Sequence, residues 1–253
     1  MPQLTAIDRF PIKGLGPDPL TEVDLEPGCL LPFDRAYAIE NGKSPFDPQN
    51  PGHLKKKHFL MLAAHPDLAR VSGRFSALDH SYTARIDDGA PISIQLDDPV
   101  THAPFLDALA ALLEGQAREP LAVLHTPHQA MTDIPEPHIS LINAASVRDL
   151  SARTGLALDP LRFRGNLLID GLEPWAEFDW INREIAIGDA VILRAQARIG
   201  RCAATSVNLA TATRDTDLPK ALFEHYGHTQ CGLYLSVEKG GRIALGDPVT
   251  VRN

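Results

Sequence analysis

The stretch Thr83-Ala84-Arg85-Ile86-Asp87-Asp88-Gly89-Ala90-Pro91-Ile92-Ser93-Ile94-Gln95-Leu96 sets the character of the chain. Two short extended runs, 83–86 and 92–96, flank Asp-Asp-Gly, a turn tripeptide in which glycine tolerates a positive backbone angle; this predicts a β-hairpin. The same texture extends in both directions. Residues 4–12, 21–31 and 35–40 alternate partly and are punctuated by Pro, Gly and Asp, and strand signals resume at 167–170, 185–195, 232–238 and 248–251. Lys239-Gly240-Gly241-Arg242 reads as a tight turn joining the last strands. Residues 42–57, rich in Pro, Gly, Asn and Lys, read as a surface loop able to overhang a site.

Helical spacing is confined to three places. Phe105, Leu106, Leu109, Leu112 and Leu113 form one apolar stripe. Residues 144–153 follow Asn143, a good N-cap, and stop at Gly155. Residues 218–226 carry Pro219 in their first turn. Short strands segregated from a few helices predict a mainly β or α+β fold, barrel-like in architecture. Alternating βαβ units and an early Gly-rich phosphate loop are not read, which argues against dinucleotide-binding and P-loop enzymes. Residues 115–120 serve as a hinge, giving an N-terminal β-rich domain over 1–115 and a second domain over 116–253.

The chain has 253 residues, 44% hydrophobic and 22% charged, with a formal net charge of -8. That balance disfavours nucleic acid or an anionic membrane as partner, so an anionic ligand requires a local basic cluster. The opening Met1-Pro2-Gln3-Leu4-Thr5 carries no secretion signal and no apolar run is long enough to span a bilayer, so a cytoplasmic location is expected. The cysteines Cys29, Cys202 and Cys231 lack zinc-type spacing, and reduced thiols are expected. Cys29 and Cys231 read as small buried apolar residues. His125 and His128, and His225 and His228, have no third ligand at a telling spacing.

Three clusters join cations to turn residues: Phe10-Pro11-Ile12-Lys13-Gly14, Arg162-Phe163-Arg164-Gly165-Asn166, and Arg198-Ile199-Gly200-Arg201-Cys202-Ala203-Ala204-Thr205. The thiolate is the form of cysteine that binds metal or attacks an electrophile, and a neighbouring guanidinium favours it. Small residues around Cys202 leave room for a bulky ligand. By local chemistry alone Cys202 remains more often an ordinary residue than a functional one.

Taken in order with Phe33-Asp34-Arg35, Ile187-Gly188-Asp189-Ala190-Val191 and the closing Ala244-Leu245-Gly246-Asp247-Pro248-Val249, these clusters resemble the MOSC superfamily, named for the C-terminal domain of molybdenum cofactor sulfurases. Members such as the mitochondrial amidoxime reducing component and its bacterial relatives add an N-terminal β-barrel domain. The resemblance implies a β-barrel-like domain followed by a MOSC β-barrel with a few peripheral helices. It implies a molybdenum–molybdopterin cofactor with Cys202 as catalytic residue and metal ligand, and Lys13, Arg35, Arg164 and Arg201 holding the anionic pterin and its phosphate. Asn143, Ser146 and Asn166 are expected to add neutral hydrogen bonds. Gly14 stands where relatives often have serine, opening a backbone amide to an anion, and Asn143 replaces a residue that is often serine or threonine. The implied activity is reduction of small N-hydroxylated compounds. No haem or iron–sulfur cluster is expected in this chain, so a separate electron-donor protein is required. Lys43 and Lys55-Lys56-Lys57 are read first as a solvated loop, second as a docking patch for such a donor. Two alternatives use the same residues: a sulfurtransferase carrying a persulfide on Cys202, and a non-catalytic molybdopterin carrier.

Overall fold

A computed structural model describes residues 1–49, 52–126 and 130–252. The chain runs through β1 (Gln3–Arg9), β2 (Asp18–Leu20), β3 (Glu22–Leu25), β4 (Tyr37–Asn41), β5 (Val71–Phe75), β6 (Ser81–Ile86) and β7 (Ile92–Gln95). Helix α1 (Ala103–Leu113), β8 (Leu121–His125), β9 (Ile139–Asn143), α2 (Ala144–Thr154) and β10 (Leu167–Asp170) follow. The remainder is β11 (Glu184–Ile187), β12 (Val191–Gly200), the two-residue strands β13 (Val207–Asn208) and β14 (Thr213–Arg214), α3 (Leu218–Tyr226), β15 (Gln230–Lys239), β16 (Gly241–Ala244) and β17 (Val249–Arg252). The fold is mainly β with three α-helices among the described residues.

The largest sheet has eight strands in the order β17-β11-β12-β15-β9-β10-β1-β2. A bridge between Gln3 and Pro248 ties β1 to the approach of β17, so the sheet curls back towards its own start. Strands from both ends of the chain share this layer, and β3 pairs with β16, Glu22 opposite Ala244. Its inner face buries Leu4, Ile139, Leu141, Leu167, Leu193 and Leu233 in one apolar core. A second core forms where β4, the sheet β5-β6-β7 and α1 meet: Phe105, Leu109 and Leu113, one helical turn apart, pack with Tyr37, Tyr82 and Ile94.

Local signals explain most elements. The Asn143 Oδ1 accepts from the N–H of Ala145 at 3.0 Å, and Gly155 ends α2 in the left-handed region with φ 70°. The hairpin β6–β7 is present, with a different division of labour in its turn. Asp87 takes the positive angle (φ 47°), while a side chain at Gly89 would approach the Ile86 carbonyl oxygen to 2.9 Å.

Several expectations are corrected. Residues 185–195 are two antiparallel strands, β11 and β12, because Gly188-Asp189 turns the chain between them. Within 21–31 only Glu22–Leu25 is strand. β16 leaves the 239–242 turn to pair with β3 instead of folding back on β15. β9, α2 and β10 form one βαβ unit, with β9 and β10 parallel. Strands β8 and β9 carry no alternation to find: β8 is half-buried throughout, and β9 is buried at every position, as suits a central strand covered on both faces.

Candidate active site

The site begins where β1 ends. The chain leaves the sheet after Arg9, and residues 10–13 are zipped to 34–37: Phe10 N–H donates to Asp34 Oδ1 (2.8 Å), Arg35 N–H to the Phe10 carbonyl (2.7 Å), and Lys13 N–H to the Tyr37 carbonyl (2.8 Å). Gly14 follows with φ 89°, and a Cβ there would lie 2.8 Å from the Leu60 carbonyl oxygen. Only glycine suits that combination of angle and close approach. Together these segments form one wall of an open cleft. The other wall is built from residues 162–166, the end of β12 with Cys202, and Tyr234 on β15.

Seven of the nine residues singled out from the sequence line this cleft: Lys13, Gly14, Arg35, Arg164, Asn166, Arg201 and Cys202. Asn143 and Ser146 do not. Both are fully buried around the equally buried Glu177, whose carboxylate accepts from Asn143 Nδ2 at 2.8 Å and from Ser146 Oγ at 2.9 Å. Ser146 Oγ also accepts from the N–H of Trp175 (2.8 Å), so neither side chain is turned to a ligand. Asn166 lines the cleft but spends its amide on the fold: Oδ1 accepts from Ser140 N–H (3.0 Å) and Oγ (2.7 Å), and Nδ2 donates to the Asp8 carbonyl (3.1 Å).

The cations differ in how they are balanced. Lys13 donates to the Met131 carbonyl (2.7 Å) and to Asp133 (2.6 Å). Burial lowers its pKa, with Asp133 opposing and Arg35 and Arg164 reinforcing. Burial works against the Asp133 charge, but Lys13, Lys56 and Arg35 outweigh it and hold this carboxyl below its ordinary range. Arg35 pairs with Asp34, and Arg162, 2% exposed, makes a fork with Asp215 at 2.7 and 2.6 Å. Arg164 and Arg201 have no carboxylate partner among the described residues. Arg164 donates to the Leu15 carbonyl (2.8 Å), and Arg201 to the carbonyls of Phe163 (2.8 Å) and Cys231. Burial, then the like charge of Arg35, pushes Arg164 down to about 9, and burial lowers Arg201 as well. Two half-buried cations whose described hydrogen bonds go to carbonyls make the cleft a place where an anion lowers the energy.

Arg35 and Arg164 both hold left-handed backbones, φ 51° in each case. Such angles cost a non-glycine residue about 1 kcal/mol or more, and they concentrate at binding sites. Cys202 lies two residues beyond the end of β12 and caps a short 3-10 turn, Ala203–Ser206; it is half-buried in the cleft, and its sulfur makes no hydrogen bond among the described residues. Cys231 is buried, and burial pushes its thiol up to about 12, whereas Cys29 is exposed because its loop lies outside either core. No group of three or more His, Cys, Asp or Glu side chains suited to a metal ion occurs among the described residues. His125 stacks on Tyr37 (4.4 Å), and His228 on Tyr226 (6.0 Å); His128 lies outside the described residues.

Several cleft residues were not singled out from the sequence: Asp34, Asp133, His138, Ser140 and Tyr234. Asp34 was visible beside Arg35; the others stand in segments whose approach to Cys202 depends on the pairing of β9 with β15. No described helix is long and apolar enough to cross a membrane.

Comparison with known proteins bears on the same residues. The MOSC domain family model matches residues 128–250. The chain is similar to mitochondrial amidoxime-reducing component 1 of Mus musculus, 29% identical over 53% of this chain and 42% of that protein. It is 32% identical to mitochondrial amidoxime reducing component 2 of Rattus norvegicus over 44% of this chain and 36% of that protein. It is 27% identical to a molybdenum cofactor sulfurase of Anopheles gambiae over 93% of this chain and 34% of that protein. The chain thus spans between a third and a half of the length of these relatives. Residues 128–250, just under half of the chain, thus resemble a MOSC domain.

Proposed function

We propose that this protein binds a molybdenum–molybdopterin cofactor in the cleft and reduces small N-hydroxylated compounds. One observation carries the reading: a half-buried thiol, Cys202, shares a cleft with two half-buried arginines, Arg164 and Arg201, and among the described residues the thiol has no hydrogen-bond partner and the arginines no carboxylate partner. The donor set fits the group. Cys202 is a single soft ligand, and among the described residues no group of three or more His, Cys, Asp or Glu side chains is gathered to hold a metal, which suits a metal whose remaining sulfur ligands come from its cofactor. A pterin with dithiolene and phosphate groups is anionic, as the arginines require. The relatives reported above, amidoxime-reducing components and a molybdenum cofactor sulfurase, support the same class.

In this reading Arg164, Arg35 and Lys13 bind the anionic part of the cofactor, with the Gly14 amide adding a donor. Asp133 accepts from Lys13 until the anion takes its place. Arg201 fixes the turn that presents Cys202, because its donors tie that turn to the carbonyls of residues 163 and 231. The bound cofactor supplies the redox chemistry, a two-electron reduction in which an N–OH group and two protons give N–H and water. A separate donor protein supplies the electrons.

The test is the molybdenum and pterin content of protein made in a host competent for cofactor synthesis. Near-stoichiometric amounts of both, lost in Cys202→Ser, are expected, with N-hydroxylated substrates then consumed. Absence of both overturns the proposal. A second reading, sulfur transfer through a Cys202 persulfide, is favoured by the sulfurase match over 93% of the chain. It requires Cys202→Ser to abolish sulfur transfer while pterin binding survives.

A further inference from the structure

His138 lies between Glu136 and β9 and lines the cleft, its ring packed on that of Tyr234 with centroids 5.7 Å apart. Its Nδ1 is buried and has no hydrogen-bond partner among the described residues, whereas Nε2 is not shut off in this way. A neutral imidazole carries one N–H, and the protein decides which nitrogen holds it. A buried N–H without an acceptor is rarer and costlier than a lone pair without a donor. An imidazolium would place a proton on both nitrogens and orphan one of them. Burial accordingly lowers the pKa of His138, with Glu136 opposing. The dry side of the ring therefore selects the tautomer in which Nε2 carries the hydrogen, on a side chain that lines the cleft.

We infer that His138 is a specificity-determining residue: a neutral donor whose Nε2–H binds an uncharged acceptor atom, the oxygen of a substrate N–OH group, beside Cys202. The inference rests on the proposed function for the identity of the substrate. The cationic donors of the cleft, among them Lys13, Arg35, Arg164 and Arg201, suit an anion; His138, like the hydroxyl of Tyr234 on which it packs, is suited to an acceptor without charge. Tyr234, on which it packs, is close enough to Cys202 and Arg201 for both to act on its hydroxyl electrostatically, which places this wall beside the thiol.

Two measurements test it. In the purified protein labelled with ¹⁵N-histidine, the nitrogen spectrum at pH 7 is expected to show His138 as the Nε2–H tautomer. Titration with an aromatic amidoxime is expected to move its Nε2 signal. An Nδ1–H tautomer, an imidazolium, or an unmoved signal overturns the inference, whatever the metal content. In molybdenum-loaded protein, His138→Phe keeps the ring against Tyr234 and removes the donor. KM for the amidoxime is expected to rise about tenfold, the loss of one hydrogen bond, with kcat and molybdenum content little changed, and His138→Gln to restore most of it. An unchanged KM in His138→Phe overturns the inference. If the protein takes up no molybdenum, the proposed function falls, and the nitrogen spectrum and titration alone decide the role of His138.

Discussion

Arg35 and Arg164, 129 residues apart, lie against one ring: each guanidinium carbon is 4.4 Å from the centroid of Phe10, and Arg35 also donates to the Arg164 carbonyl at 2.9 Å. Aromatic faces attract cations, and holding both guanidinium groups on one ring offsets part of their mutual repulsion. The arrangement keeps two positive charges together at the cleft before any ligand arrives.

Arg164 is where charge and backbone strain can be separated. Arg164→Gly and Arg164→Ala both remove the guanidinium, and each is expected to weaken binding of inorganic pyrophosphate about tenfold or more by calorimetry. The glycine variant relaxes the left-handed backbone (φ 51°), so it should be more stable than the alanine variant by about 1 kcal/mol in denaturant titration. Equal pyrophosphate affinity in all three proteins would remove Arg164 from the anion site.

Asp133 accepts from Lys13 at 2.6 Å while remaining half exposed, so under the proposed function it competes with the anion for that ammonium. Asp133→Asn is expected to tighten pyrophosphate binding two- to fivefold, the modest effect of a solvent-screened pair. Weaker binding in the variant would show that Asp133 orders the cleft instead.

Asn143 and Ser146 divide stability from function. Asn143→Ala or Ser146→Ala leaves the buried Glu177 carboxylate short of donors, at a cost of about 1–3 kcal/mol. Molybdenum content of the folded fraction should match that of the parent, because neither side chain reaches the cleft. Loss of metal without loss of stability would return both to the cofactor site.

Asp8 gives the protein a pH signature. Burial, then repulsion from Asp159, raises its pKa to about 6 from 3.8. Between these values the folded protein holds more protons than the unfolded chain, so this group's contribution to stability falls as pH rises from about 4 to 6. At about 1.4 kcal/mol per unit the penalty above pH 6 is about 3 kcal/mol. Asp8→Asn should equal the parent in stability near pH 3.5 and exceed it by up to that amount at pH 7, measured by urea unfolding. A constant difference across pH would refute the shift.

The mainly β architecture was legible because turn residues such as Asp87-Asp88-Gly89 and caps such as Asn143 and Gly155 act over a few residues, within reach of a local reading. The same locality limited it. Gly188-Asp189 split an apparent single strand, and β9, buried on both faces, showed no alternation. Lys13, Arg35, Arg164, Arg201 and Cys202 stood out as cations and a thiol beside turn residues, before any contact among them was known.

What the sequence determined by itself was chemistry: which side chains carry charge, which thiol has a cation beside it, and where the backbone must turn. Only the tertiary structure decided which of those groups meet. Asn143 and Asn166 have the same amide, yet one is spent on Glu177 and the other on Ser140 and Asp8. His138 reads in the sequence as one histidine among ten; it becomes a directed donor because Tyr234, 96 positions later, packs on its ring and the surrounding fold buries one nitrogen without a partner. The reason is physical: burial and hydrogen-bond supply belong to the three-dimensional surroundings of a group, and long-range strand pairing assembles those surroundings from segments that share no local signal.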